Sequence, residues 1–318
     1  MNLYYTTSSI RQYVILRTPK DDKGNSVNID YPINETIKIW YKQIVEYLEF
    51  LSEQEIVYPH PKCTTAVKRI FNNCSWQEGG RYYLPLQGMP MCETERKPNH
   101  IPGTYYRKDI LINNQQITEV DFGSLHPTMI YHLNNVQPQG KPYVVIDAPK
   151  EWVKLWILIA INASCLNTAK YSFTSKYIVQ KFLIDHPEYQ NTELTREKIK
   201  ANFYKEYSLL ETDANELINN IHTQFLLKHP VLSHYLGTGF GIKLQFHDSE
   251  IMRLILEQCL KHNIVALPVH DSVIVAPQHI KQIQYIMQKC YAFYMKKTFF
   301  NMTIDPIINV EVKIKKNE

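Results

Sequence analysis

No Cys-x-x-Cys pair and no zinc-ligand spacing occurs among the six cysteines, Cys63, Cys74, Cys92, Cys165, Cys259 and Cys290. This argues against a zinc module and fits a reducing, intracellular setting. No stretch is long and apolar enough to cross a bilayer; the most apolar run, residues 155–161, falls far short of the roughly 20 residues required. The opening MNLYYTTSSIRQ has no signal-type apolar core. The expectation is a soluble, cytoplasmic protein with no membrane partner. A strong charge of one sign is missing too, because 35 Lys and Arg against 31 Asp and Glu leave only +4. Bulk charge therefore does not mark a nucleic-acid binder, although an acidic site within basic walls would average to such a value. Internal repeats and low-complexity segments are absent.

What is present is ordinary globular material, 318 residues with 44% hydrophobic and 21% charged, enough for one large domain or a few packed subdomains. The 22 tyrosines are many; tyrosine fills cores more often than it stacks on bases. Basic residues cluster at 62–69, at Arg81, at Arg96 and Lys97, at Arg107 and Lys108, and at 313–316, short enough to be solvated surface.

Hydrophobic periodicity predicts a short strand at 13–16, a helix over 37–53, loops and short strands over 61–110, and a strand at 117–122 leading into a helix at 125–133. A helical block is expected from 152 to about 228, with an exposed polar connection at 188–200, and another helix over 244–262. The apolar runs 264–269 and 273–276 flank a polar tip, His270-Asp271, and predict a β-hairpin. A helix near 280–296 and the alternation Ile308, Val310, Val312, Ile314, a half-buried strand, close the chain. The fold class expected is α+β: a small antiparallel sheet with helices on one face and a helical insertion between its strands.

Two aspartates end apolar strands, Asp121 in ITEVDFGSLHP and Asp271 in VALPVHDSVIV. A carboxylate so placed is costly without a positive partner, and a pair of divalent cations would supply one. Each residue also has a local reading, Asp121 as a helix cap and Asp271 as a hairpin-turn residue.

The neighbours of these residues resemble the family A DNA polymerases and the related single-subunit phage-type RNA polymerases. Asp121-Phe122-Gly123-Ser124-Leu125-His126-Pro127 resembles the family's first motif, and its DFxSLxP wording is also close to that of family B. Val269-His270-Asp271-Ser272 resembles the last motif. Between them Lys150-x3-Lys154-x7-Asn162-Ala163 keeps the spacing of the family's Arg-x3-Lys-x7-Tyr-Gly helix, with three of four residue types changed. Gln245-x4-Glu250-Ile251 is similar to a Gln-x4-Asp-Ile helix, and Gly80-Arg81 with Arg107 resembles upstream arginine elements. The five elements keep their order across about residues 71–276, and the first 60 residues match nothing in the family.

The resemblance implies a right-hand polymerase without an exonuclease domain. Residues 1–60 would be a helical, thumb-like region, 61–148 and 244–318 the two parts of a palm, and 149–243 a helical fingers insertion. It implies template-directed nucleotidyl transfer to a primer, with Asp121 and Asp271 holding two Mg²⁺ or Mn²⁺ ions and the Phe122 carbonyl as a further ligand. Lys154 would be catalytic. Lys150, Lys154, Leu158 and Asn162, a single stripe at four-residue steps, would with His126 bind the nucleoside triphosphate. Arg81, Arg107, Gln245 and His270 would contact primer–template DNA, or RNA. His126 has three readings: a ring that excludes a ribose hydroxyl, an imidazole that bonds it, or simply the start of a helix. Asn162 stands where the family has tyrosine, and Ser272 where DNA polymerases have glutamate and phage-type RNA polymerases also have serine. The activities left open are a DNA polymerase, a primase or RNA polymerase using ribonucleotides, and a catalytically silent nucleic-acid-binding palm.

Overall fold

The computed structural model of the chain describes residues 6–22, 24–92, 103–140, 142–144, 148–186, 198–199, 202 and 210–313. Arg96 and Lys97, most of the 188–200 connection, Ile314 and the end of the 313–316 basic cluster lie outside the described residues. Two compact units make up the chain: Met1–Leu125 with Lys243–Glu318, and His126–Ile242. The sequence placed its boundaries at 60, 148 and 243, whereas the first division falls after Leu125, in the first turn of a helix.

The first unit carries three small sheets. One has the order β2-β1-β4-β5, with β1 Val14–Arg17, β2 Asn28–Ile29, β4 Lys68–Phe71 and β5 Gly79–Tyr83. Val14, Ile15 and Leu16 are all buried, and β1 runs parallel to β4 while the other neighbours are antiparallel. This corrects the expectation of a helical region at 1–60. Its long helix is there, α2 Glu35–Ser52, which follows the short α1 Thr7–Tyr13 and is started by Asn34, whose side-chain oxygen accepts from the Ile37 amide at 3.0 Å. But β1 and β2 belong to a sheet shared with residues 68–83, and β3 Ile56–Val57 pairs with β6 Leu111–Ile112, which pairs in turn with β7 Gln115–Gln116. Such pairings are non-local, so the pattern within residues 1–60 could not show them.

The sheet that matters for function has the order β11-β8-β10-β9, all antiparallel, with β8 Thr118–Phe122, β9 Ala266–Val269, β10 Ser272–Val275 and β11 Val310–Lys313. Alternation along β8 sends Val120 and Phe122 to one face and Glu119 and Asp121 to the other. The Phe122 ring meets Tyr291 of the closing helix, here α8 Ile280–Thr298, at a centroid distance of 6.0 Å. α8 therefore backs the apolar face, burying Ile283, Ile286, Met287, Cys290, Tyr291, Tyr294 and Met295. β9 is an edge strand, which is why Pro268 is tolerated within it; Gln87 Nε2 donates to the Pro268 carbonyl at 3.2 Å, and Tyr47 donates to that of Ala266.

The described part of the second unit is helical: α3 Leu125–Leu133 apart from its first residue, α4 Lys150–Asn162, α5 Leu166–Asp185 and α6 Leu210–Lys228. Trp156, Ala160, Phe173, Ile221 and Phe225 are its sealed core. The end of α4 is capped by the loop after α6: the amides of Gly237 and Gly239 donate to the carbonyls of Ala160 and Ala163, each at 2.7 Å. The remaining long helix, α7 Gly241–Lys261, continues into the first unit.

Gly80 is closely packed against the side chains of Phe71 and Ser249. Its φ is +72°, and an added Cβ would stand 2.8 Å from a Phe71 ring carbon and 2.9 Å from Ser249 Oγ. Gly24 has a similar φ of +82° with nothing within 4 Å. Gly80→Ala should therefore destabilise by roughly 2–4 kcal/mol and Gly24→Ala by about 1 kcal/mol. Urea unfolding of the two variants checks the contrast.

Candidate active site

β8 carries Asp121 out to the point where the chain leaves the sheet. The Gly123 amide donates to the Asn309 carbonyl at 2.8 Å, and Ser124 turns the backbone with φ +56°. On the neighbouring strand the hairpin is closed by His270 and Asp271, with His270 at φ +58°, a region that histidine, asparagine and aspartate enter more readily than most residues. Ser272 lies directly opposite Asp121 in the β10–β8 ladder. Asp271, one residue further, is thus at the same end of the sheet as Asp121. The two expected acids, 150 positions apart in the chain, stand at one end of the sheet, Asp121 on β8 and Asp271 in the turn just before β10.

Asp121 senses the charge of Asp271. Burial and then the charge of Asp271 push the Asp121 carboxyl up to about 6, against the opposing charge of Lys313. Asp121 Oδ2 is 3.3 Å from Lys313 Nζ, while Oδ1 is buried with no hydrogen-bond partner among the described residues. An orphaned carboxylate oxygen next to a second carboxylate is a place that gains from a cation.

Sequence reasoning missed the rest of this sheet face. Glu119, two residues before Asp121 and on the same side, is fully buried. It accepts from Ser272 Oγ at 2.7 Å, pairs with Lys313 Nζ, and has Arg107 Nη2 at 3.4 Å. Burial would raise the Glu119 carboxyl, but the Lys313 and Arg107 charges overcome it and hold the group below its ordinary range. Glu311 on β11 lies opposite Asp121 from the other side, where Asn309 Nδ2 donates to it at 2.7 Å. The signal was legible as period-2 alternation: 119 and 121 share a face, as do 309, 311 and 313. Only the apolar half of each alternation was read.

Arg107 is accordingly an inward-facing residue, buried, with Nη1 donating to the Met89 carbonyl. Arg81 forks onto the buried Asp248, both carboxylate oxygens lying 3.1 Å from its Nε. Although burial opposes its charge, Asp248 and then Asp271 raise the Arg81 pKa further. It therefore stands within electrostatic reach of the hairpin tip. Asp248 is the anchor that holds it. Glu250 turns away from the aspartates to Arg69 and Arg253. Gln245 is half-buried one turn ahead of Asp248 on α7, and His270 is exposed, edge-on to Tyr83 at 6.2 Å. The Phe122 side chain is buried against α8, so only its main-chain carbonyl could serve a metal.

In the second unit, Lys150, Lys154, Leu158 and Asn162 all lie on the exposed side of α4, opposite the buried Val153, Trp156, Ile157 and Ala160. Asn162 Nδ2 donates back to the Leu158 carbonyl at 2.7 Å. His126 is half-buried in the first turn of α3. Asp121, Asp271, Arg81, Arg107, Gln245 and His270 belong to the first unit, and the α4 stripe and His126 to the second.

No group of three or more His, Cys, Asp or Glu side chains that could hold a metal ion is found among the described residues. The donor set is two aspartates. That suits Mg²⁺, which typically takes one or two carboxylates and completes its shell with water and substrate phosphate, and not a zinc or calcium cage. No described helix is long and apolar enough to cross a membrane.

No protein-family model matches the chain, and no curated protein does. Among solved structures it is similar to the POL domain of Pol1 from M. smegmatis, in complex with DNA primer-template and dNTP, at 10% identity and a TM-score of 0.32. The match covers 98% of this chain and 60% of that one. At this level the likeness is loose, and the functional reading rests on the side chains described above.

Asp121 binds a proton more tightly in the folded protein than when unfolded. Its contribution to stability is full below about pH 4 and is lost as pH rises through about 6. Asp121→Asn should therefore gain on the order of 1–2 kcal/mol at pH 8, without metal, and nothing at pH 4. Thermal melts of both proteins at the two pH values read this out.

Proposed function

We propose that the chain is a nucleotidyltransferase that extends a nucleic-acid primer on a template, most simply a DNA polymerase. The observation that carries this reading is the placement of Asp121 and Asp271 at one end of adjacent strands, close enough that one raises the proton affinity of the other. Two Mg²⁺ ions held there would activate a primer 3′-hydroxyl and offset charge on the α-phosphate and its leaving oxygen. Asp121 and Asp271 would be the side chains that hold those ions. Lys313 and Arg107 keep Glu119 ionised, so that face stays acidic without shedding its structure. Arg81, clamped by Asp248, presents a fixed cation beside the hairpin tip, suited to a primer phosphate.

Primer extension with a labelled primer–template, with dNTPs and NTPs in parallel, tests this reading and separates the deoxy- and ribonucleotide activities. Wild type should extend in Mg²⁺, and Asp121→Asn and Asp271→Asn should each lose on the order of 10³-fold or more. Salt-sensitive DNA binding should persist in both variants. Mg²⁺ should also raise the Tm of the wild type and not of the variants. Equal synthesis by all three proteins rejects the mechanism, and absence of synthesis with intact DNA binding in all three identifies a silent palm.

A further inference from the structure

The 19-residue α8 contains no aspartate or glutamate. Its buried face is committed to the sheet, through Tyr291 on Phe122 among others. Its outer face is periodic in a different way: Lys281, Tyr285, Lys289, Phe293 and Lys297 follow one another at four-residue steps, cation and ring in alternation, and all five are exposed. Tyr285 is 60% exposed and Phe293 56%, large values for rings on a well-packed helix. Lys289 Nζ lies over the Tyr285 ring at 5.4 Å and Lys297 Nζ over the Phe293 ring at 5.6 Å, so each ring and the following ammonium form a unit. Phe300, just past the helix, is 91% exposed. The nearby acid Asp305 is engaged by Lys296, which lies outside the four-residue series.

We infer that this outer face of α8 is a binding surface for single-stranded nucleic acid. The ammonium groups match a phosphate chain, and the rings between them match unstacked bases, which stack on aromatic side chains regardless of sequence. A duplex would use the cations but not the rings, because its bases are already stacked. A membrane would need the helix to bury an apolar face, and the apolar face of α8 is already inside the protein. From Lys281 to Lys297 the series spans about 24 Å, room for roughly four extended nucleotides. The surface lies on the opposite side of the sheet from Asp121, as the alternation of β8 requires. It is therefore separate from the candidate active site and does not depend on the polymerisation reading.

The test is fluorescence anisotropy of the full chain with labelled (dT)20, (U)20 and a 20-base-pair duplex at several salt concentrations. Tyr285→Ala/Phe293→Ala is expected to weaken single-strand binding about tenfold or more while leaving duplex binding within twofold. Lys281→Gln/Lys289→Gln/Lys297→Gln should weaken both and flatten the single-strand salt dependence by about 2 in log–log slope. Photocrosslinking of 5-iodouracil-substituted (dT)20, mapped by mass spectrometry, should mark Tyr285 or Phe293. Wild-type affinity in both variants, an equal loss for duplex and single strand on removing the rings, or crosslinks only elsewhere would overturn the assignment. So would loss of binding to phosphatidylserine vesicles with oligonucleotide binding unchanged. Both variants keep every residue assigned above to the reaction, so primer extension with the same proteins judges that reading separately.

Discussion

A fully buried carboxylate, Glu119, sits in the middle strand of the functional sheet, and the surrounding structure is arranged to keep it charged. Lys313 comes from β11 on one side, Ser272 from β10 on the other, and Arg107 from the short 3-10 helix before β6. An ionised group in such a place costs several kcal/mol unless each lone pair finds a donor. Satisfying it ties three strands and a loop to a single register. Slippage of β8 by one residue would turn Glu119 toward the apolar helix and Val120 toward the charges. The register that meets Glu119's needs is also the one that brings Asp121 to the level of Ser272, and so to Asp271.

The two faces of this sheet divide the chemistry. On one, Val120 and Phe122 join the core beneath α8, and the area they bury holds the strands rigid. On the other, acids and cations interlock, and Asp121 is the member left incompletely served: its Oδ2 has Lys313 and its Oδ1 has no partner. Local imperfection of this kind is where stability is traded for a site that gains from a ligand. Arg69 is a buried guanidinium served mainly through two of its nitrogens: Nε donates to the Gly80 carbonyl, Nη2 to Ser249 and Glu250, and the rings of Trp40, Phe71 and Tyr82 pack on it.

Much of this was legible beforehand. Period-3.6 patterns marked α2, α7 and α8, and two apolar runs around His270-Asp271 marked the β9–β10 hairpin, because burial of one face writes itself into sequence at the period of the element. The α4 stripe followed from four-residue spacing, and the structure leaves it exposed. Glu119 and Lys313 were passed over because within an alternating strand the polar positions are read by default as facing water. Here they face one another. The resemblance implies a nucleic-acid contact for Arg107, and only the tertiary structure reveals the buried acid that this arginine answers.

The sequence by itself determined the elements, the chemical types at their ends, and the two aspartates at the limits of apolar strands, since propensity, alternation and strand length are properties of a local segment. Tertiary structure alone decided that β1 enters the sheet of β4, that Asp248 rather than Glu250 anchors Arg81, and that Asp121 shares its end of the sheet with Asp271. Those are facts of pairing between segments far apart in the chain. They are set by which buried charges can be satisfied together, and no single segment contains that information.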